Sequence, residues 1–303
     1  MKKVLILVAV LAVASTKSID INSSQVQPIE TIGIDWSQVQ PIQDTDQYWA
    51  RLPAEMQYLR KQEPDRRIVN GQEATPGQFP YQVFLEHQLI EYPSSCGGSI
   101  INSNNVLTAA HCVWRALSGT AIVGVHNNKI NEPTQQRIPY AKVFYHADYS
   151  EYYTRNDIAI VRLSGHITFN ANVQPVRLPA QGDNRQFAGL TGTVSGFGAL
   201  CNDCDTSNVL RYTTNPMISN AECLASFSKP ELIQDQNICM SNAGQRGHCY
   251  GDSGGPVVVN DSGSALQVGV VSFVHGDGCN AGFPSVSARV TYYLNWVLHV
   301  MTL

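Results

Sequence analysis

The stretch GHCYGDSGGPVVV, residues 247–259, packs four glycines around Asp252 and Ser253 and then runs into three valines. Glycine carries an entropic cost and is used where the backbone takes unusual dihedrals or comes close to another group. One reading is a tight turn feeding a strand. The other is a nucleophile held with its backbone amides bare for an incoming carbonyl. Residues 251–255 also fit G-x-S-x-G, the turn that presents a serine between a strand and a helix, with Asp277 and His299 as partners that follow it. Pro256 and the valines make a poor helix and a good strand, and most of the chain precedes the serine, so that version is rejected. A base and an orienting acid must be sought upstream.

Composition bounds the search. The 303 residues are 43% hydrophobic and 15% charged, enough for a substantial core in one large or two modest domains. A net charge of -4 and a pI near 6.0 leave no electrostatic footprint for nucleic acid. The opening MKKVLILVAVLAVAS has a basic start, an apolar run and a small-residue cleavage site, so residues 1–14 read as a secretory signal peptide. The run is too short to cross a bilayer, and nothing later is longer, so the expectation is a secreted, extracellular protein without a membrane partner. In that oxidising setting the eight cysteines, all between Cys96 and Cys279, should pair. A zinc site at Cys201-Asn-Asp-Cys204 lacks a second ligand pair at suitable spacing.

Residues 15–67 differ in texture. They lack cysteine, are rich in Gln, Pro, Ser and Asp, and carry SQVQPI twice, at 24–29 and 37–42. Such a segment cannot bury enough apolar surface to order itself alone, although DQYWARLPAEMQYLRKQ could form a short docking helix. It ends at Arg66-Arg67, directly before IVNG, which suggests proteolytic processing. From Ile68 onward short β-branched or aromatic runs (QFPYQVFLEHQ, TAIVGVH, AKVFYH, DIAIVRL, TGTVSGFG, PVVVN, LQVGVVSFV) alternate with Gly, Pro, Asn and Asp. Only the C-terminus has helical spacing, with Val290, Leu294, Val297 and Met301 on one face. The pattern predicts an all-β barrel or sandwich closed by a terminal helix.

Two further stretches complete the chemistry. VLTAAHC places His111 after an apolar strand, and RNDIAIVRL places Asp157 before a β-branched run. With Ser253 they supply a base, an orienting acid and a nucleophile, in that chain order. RIVNG, LTAAHC, NDIAI and GDSGGP together resemble the activation site and catalytic motifs of chymotrypsin-family serine proteases, across residues 68–303. The activation segment and the wording near the serine look most like insect digestive or salivary members.

The resemblance implies two six-stranded antiparallel β-barrels with a C-terminal helix, and a zymogen in which residues 15–67 are an activation peptide. It implies that Ser253 attacks a peptide carbonyl, His111 shuttles the proton, and Asp157 holds the histidine tautomer. The Gly251 and Ser253 amides would form the oxyanion hole. Cutting after Arg67 would free the Ile68 amino group to pair with Asp252. By alignment on the serine the substrate pocket has Gly247 at its floor, Ser272 and Val274 along its wall and throat, and Ser285 opposite. A neutral pocket narrowed by a valine suggests medium apolar side chains before the cut, and His248 could lie near its wall. Three disulfides follow from the resemblance: Cys96–Cys112, Cys223–Cys239 and Cys249–Cys279. Cys201 and Cys204 match no widespread pair and are expected to bond to each other.

No cofactor or metal is expected; HNNKINEPTQQRIP, where some relatives bind calcium, holds only Glu132 as an acid. Asn22 and Asn260 head glycosylation sequons. Expected partners are protein or peptide substrates, a trypsin-like activating protease and protein inhibitors, with the enzyme a monomer. The rival functions are a silent protease homologue serving as a binding scaffold, which usually lacks a triad residue, and a disulfide-stapled inhibitor or toxin, which needs a far smaller chain.

Overall fold

Strands, most of them largely buried along their length, build two closed barrels, as the computed structural model shows for residues 40–41 and 71–303, apart from 91 and 230. The predicted signal peptide, most of residues 15–67 with their possible helix, Arg67 and Ile68 lie outside these described residues. The first barrel contains β3 (Gln82–Leu89), β4 (Pro93–Ile100), β5 (Asn105–Thr108), β6 (Ala116–Val123), β7 (Gln136–Tyr145) and β8 (Ala159–Leu163). Its strands run β4-β3-β6-β7-β8-β5, and β5 closes the ring on β4. The second contains β9 (Thr191–Gly196), β10 (Arg211–Ile218), β11 (Asn237–Met240), β12 (Pro256–Asp261), β13 (Ser264–Phe273) and β14 (Ser285–Arg289), closed by β10 on β11. All pairings within the two rings are antiparallel. Closure removes the unpaired edges that an open sheet would expose. Two short strands add to the outside: β1 (Gln40–Pro41) lies parallel to β4, and β2 (Gln72–Glu73) pairs with β10.

Buried aliphatic side chains form two main cores. Val83, Leu85, Ile100, Val106, Leu107, Ile160 and Val161 belong to one core, and Val194, Met217, Ile238, Met240, Val257 and Val268 to the other. The predicted terminal helix, α3 (Val290–Thr302), buries Val290, Tyr293, Leu294, Val297 and Val300, with Met301 only partly covered. It packs largely on the first core and so straps the C-terminal half to the N-terminal one. Two short helices join the strands: α1 (Ala110–Val113), immediately after β5, and α2 (Asn220–Leu224), started by a Ser219–Glu222 capping box.

The loop between β6 and β7 shows what Glu132 does. Its Oε2 accepts the backbone N–H groups of His126 at 2.7 Å and Asn127 at 3.0 Å, and the Gln135 side-chain amide at 3.1 Å. Burial alone would raise this carboxyl's pKa, but the bonds from Asn127, His126 and Gln135 outweigh it and hold the pKa below normal. A carboxylate with a depressed pKa contributes stability above its unfolded value, and that contribution is lost as pH falls through the folded value. Glu132→Gln is therefore expected to lower stability by about 1 kcal/mol at pH 7, after allowance for its partial exposure. In thermal melts the gap from the parent should close in acid, and calcium or a chelator should move neither protein.

Candidate active site

The three chemical side chains arrive from both barrels. His111 is carried by α1 just after β5, Asp157 precedes β8, and Ser253 sits in the turn that enters β12. Asp157 is buried and accepts three bonds. The His111 backbone N–H reaches its Oδ1 at 2.9 Å, His111 Nδ1 reaches Oδ2 at 2.8 Å, and Ser272 Oγ donates to Oδ2 at 2.6 Å. Two bonds from one residue fix both the main chain and the ring of His111. With Nδ1 turned to the acid, Nε2 is the nitrogen left for proton transfer.

Ser272, expected along the pocket wall, donates its hydroxyl to Asp157. The cause is a bulge: β13 pairs with β14 through Val271 and then Phe273, leaving Ser272 out of register. Such an extra residue re-aims its side chain. Propensity could not reveal this, because the bulge exists only once β14 is paired.

The turn at Ser253 answers why its neighbours are stripped. The N–H of Asp252 donates to Cys249 O, that of Gly254 to Val271 O, and that of Gly255 to Asp252 O. The Ser253 carbonyl accepts from Gly97 on β4 at 2.7 Å. The turn is thus pinned to both barrels, while the N–H groups of Gly251 and Ser253 donate to nothing among the described residues. Gly251 takes a φ of +89°, a conformation costly for any residue with a Cβ. Ser253 Oγ is buried and has no hydrogen-bond partner among the described residues, so its bond to His111 is not made in this structure. Such bonds are commonly long or open before substrate arrives.

Asp252 points the opposite way, into the protein. Its Oδ1 accepts the Gly198 N–H at 2.8 Å and its Oδ2 the Cys249 N–H at 2.9 Å. A Cβ at Gly198 would come within 2.5 Å of the carboxyl carbon, so this carboxylate needs a glycine opposite it. Burial pushes the Asp252 pKa up to about 6 against the two N–H bonds that lower it.

The pocket residues converge in part. Ser285 Oγ would lie 3.3 Å from a Cβ on Gly247, so these two are close neighbours. Val274 packs beside the linked Cys249 and Cys279 with Ala199 and Tyr250. His248 is buried, bonds to the Val286 backbone, and is driven by burial to a pKa of about 3. It is neutral at working pH and supplies no cation to a substrate. Sequence reasoning overlooked His87, a second imidazole near His111. It has no hydrogen-bond partner among the described residues, and burial followed by repulsion from His111 lowers its pKa to about 3.

The structure joins Cys96–Cys112, Cys201–Cys204, Cys223–Cys239 and Cys249–Cys279. Cys96, His111 and Cys112 bring their donor atoms within 4.8 Å, but both sulfurs are in the disulfide and offer no thiolate to a metal.

Known proteins match this arrangement. The family profile described as Trypsin matches residues 68–297. Chymotrypsin of Phaedon cochleariae is 37% identical over 236 residues, covering 78% of this chain and 82% of its own. Collagenase of Hypoderma lineatum is 36% identical over 233 residues, covering 76% and 86%. A solved structure titled HL collagenase superposes with a TM-score of 0.71 at 35% identity, covering 78% of this chain and 99% of that one.

The buried Asp252 generates a test. With its folded pKa near 6 and an ordinary value of 3.8, the folded state holds the proton more tightly than the unfolded one. Stability is then favoured in acid and falls as pH rises from about 4 to about 6, by roughly 3 kcal/mol in total. In the uncut protein Asp252→Asn should melt higher than the parent at pH 7, and the difference should vanish below pH 4. A gap independent of pH would show that the carboxylate is not strained by its burial.

Proposed function

The chain belongs to the trypsin family of serine endopeptidases, and on that premise we propose that it is a secreted digestive-type protease made as an inactive precursor. The observation that carries the catalytic reading is the three-donor lock on Asp157, which fixes the His111 ring by its Nδ1 and leaves Nε2 for proton transfer. In this reading Ser253 Oγ attacks the peptide carbonyl as His111 Nε2 takes its proton. The carbonyl oxygen becomes an oxyanion, received by the free N–H groups of Gly251 and Ser253. Losing one donor of this kind typically costs about 3 kcal/mol in the transition state. His111 then protonates the departing amine, and water repeats the sequence on the acyl-enzyme.

Residues 1–14 act as the signal peptide and 15–67 as the activation peptide, leaving 68–303 as the protease. Cleavage after Arg67 releases the Ile68 amino group, which neutralises the buried Asp252. That charge pairing stabilises the turn which carries the nucleophile. Truncating one partner of a buried pair costs about 3–5 kcal/mol, enough to order or release a loop. The activation peptide has no cysteine and so leaves after the cut.

The pocket opposes self-activation. Gly247 and Ser285 offer no carboxylate, and Asp277 has an exposed side chain beside His275. An arginine held there loses its counter-ion, and several kcal/mol correspond to a factor of about a thousand in rate. The preferred residue before the cut is neutral, of medium size and largely apolar. Purified precursor incubated alone should stay intact at high concentration. A trace of trypsin should generate IVNGQ as the new N-terminus together with peptidase activity. Concentration-dependent appearance of that N-terminus without trypsin would show that the pocket accepts arginine.

A further inference from the structure

The floor of the substrate pocket contains an oxygen that the fold leaves unused. Asn242 begins the short turn at Ala243–Gln245 and is only 3% exposed. Its Nδ2 donates to the Cys279 carbonyl at 2.6 Å, and Cys279 is bonded to Cys249, two residues beyond Gly247. This contact decides the orientation of the amide: exchanging nitrogen and oxygen would set two carbonyl oxygens against each other. The other end is therefore the oxygen. Asn242 Oδ1 is buried without a hydrogen-bond partner among the described residues.

Its position is given by Gly247. A Cβ on that glycine would sit 3.3 Å from Asn242 Oδ1 and 3.3 Å from Ser285 Oγ. Gly247 thus presents its bare Cα to two oxygens, one of them a pure acceptor, where any larger residue would crowd them. Ser285 Oγ has only a long contact of 3.5 Å to the Met240 carbonyl. Buried acceptors are rarely left unpaired in folded proteins, and an exception calls for a missing donor.

We infer that Asn242 is a specificity-determining residue, whose Oδ1 accepts a hydrogen bond from an uncharged donor at the tip of the substrate side chain before the cut. This rests on the proteolytic reading above and narrows its substrate class. Glutamine is preferred to methionine, its near match in shape, and tyrosine to phenylalanine. The apolar walls select the body of the side chain, and Asn242 selects its end. A site built around a substrate donor discriminates strongly against the analogue that lacks it, because the buried acceptor is then left bare.

The test uses trypsin-activated full-length protein and four peptides differing only in the residue before the cut: Gln, Met, Tyr and Phe. The wild type should show kcat/KM about tenfold or more in favour of the donor-bearing member of each pair. Asn242→Leu should bring both ratios to about one while still cleaving the Met and Phe peptides. Asn242→Asp should newly cleave Lys and Arg peptides, a gain that misfolding cannot produce. Ratios near one in the wild type, or ratios unchanged in Asn242→Leu, would overturn the assignment while leaving the protease intact. No turnover of any peptide by the activated wild type would instead overturn the proteolytic reading, and this inference with it.

Discussion

A carboxylate buried beneath the nucleophile is the constraint on which the site depends. Asp252 is held inside by two backbone N–H groups and has no cationic partner among the described residues. Ionising it there is costly, and the same turn carries Ser253 on its outer side. The order of the catalytic turn is therefore tied to whatever neutralises Asp252. In the proposed activation, a new amino terminus at Ile68 would supply a positive charge of the right kind and couple a cut far along the chain to the geometry of the reacting groups.

The two barrels matter because neither holds a complete site. His111 and Asp157 come from the first, Ser253 and Ser272 from the second, and the Ser253 carbonyl is anchored on Gly97 across the divide. The donor lock on Asp157 likewise draws on both halves, through His111 and through Ser272, which stands 115 residues away. The terminal helix that packs largely on the first core helps hold the halves in register.

Much of this was legible in the sequence because it is written locally. Valine-rich runs marked β12 and β13, and the cluster of motifs marked His111, Asp157 and Ser253. The strands that escaped notice are those with tertiary reasons for their residues. β4 reads PSSCGGSI and looks like a loop, yet a Cβ on its Gly97 would lie 2.8 Å from the Gly255 Cα. The glycine is there to let the nucleophile turn approach, a demand invisible to propensity. β14, SVSAR, sets Ser285 beside Gly247 and alternates small serines with Val286 and Ala288. Asn242 lies 37 residues from the carbonyl that orients it, and nothing near it in the chain announces a site. The bond from Ser272 to Asp157 is hidden for the same reason, since its direction is set by a bulge against a strand further on.

The central claim is that Ser253 is a nucleophile activated within this cluster, and the most direct measurement is covalent. Trypsin-activated protein treated with a fluorophosphonate should gain one adduct, which peptide mapping places on Ser253, while the uncut precursor reacts far more slowly. Labelling elsewhere, or none after a verified cut at Arg67, would contradict the account.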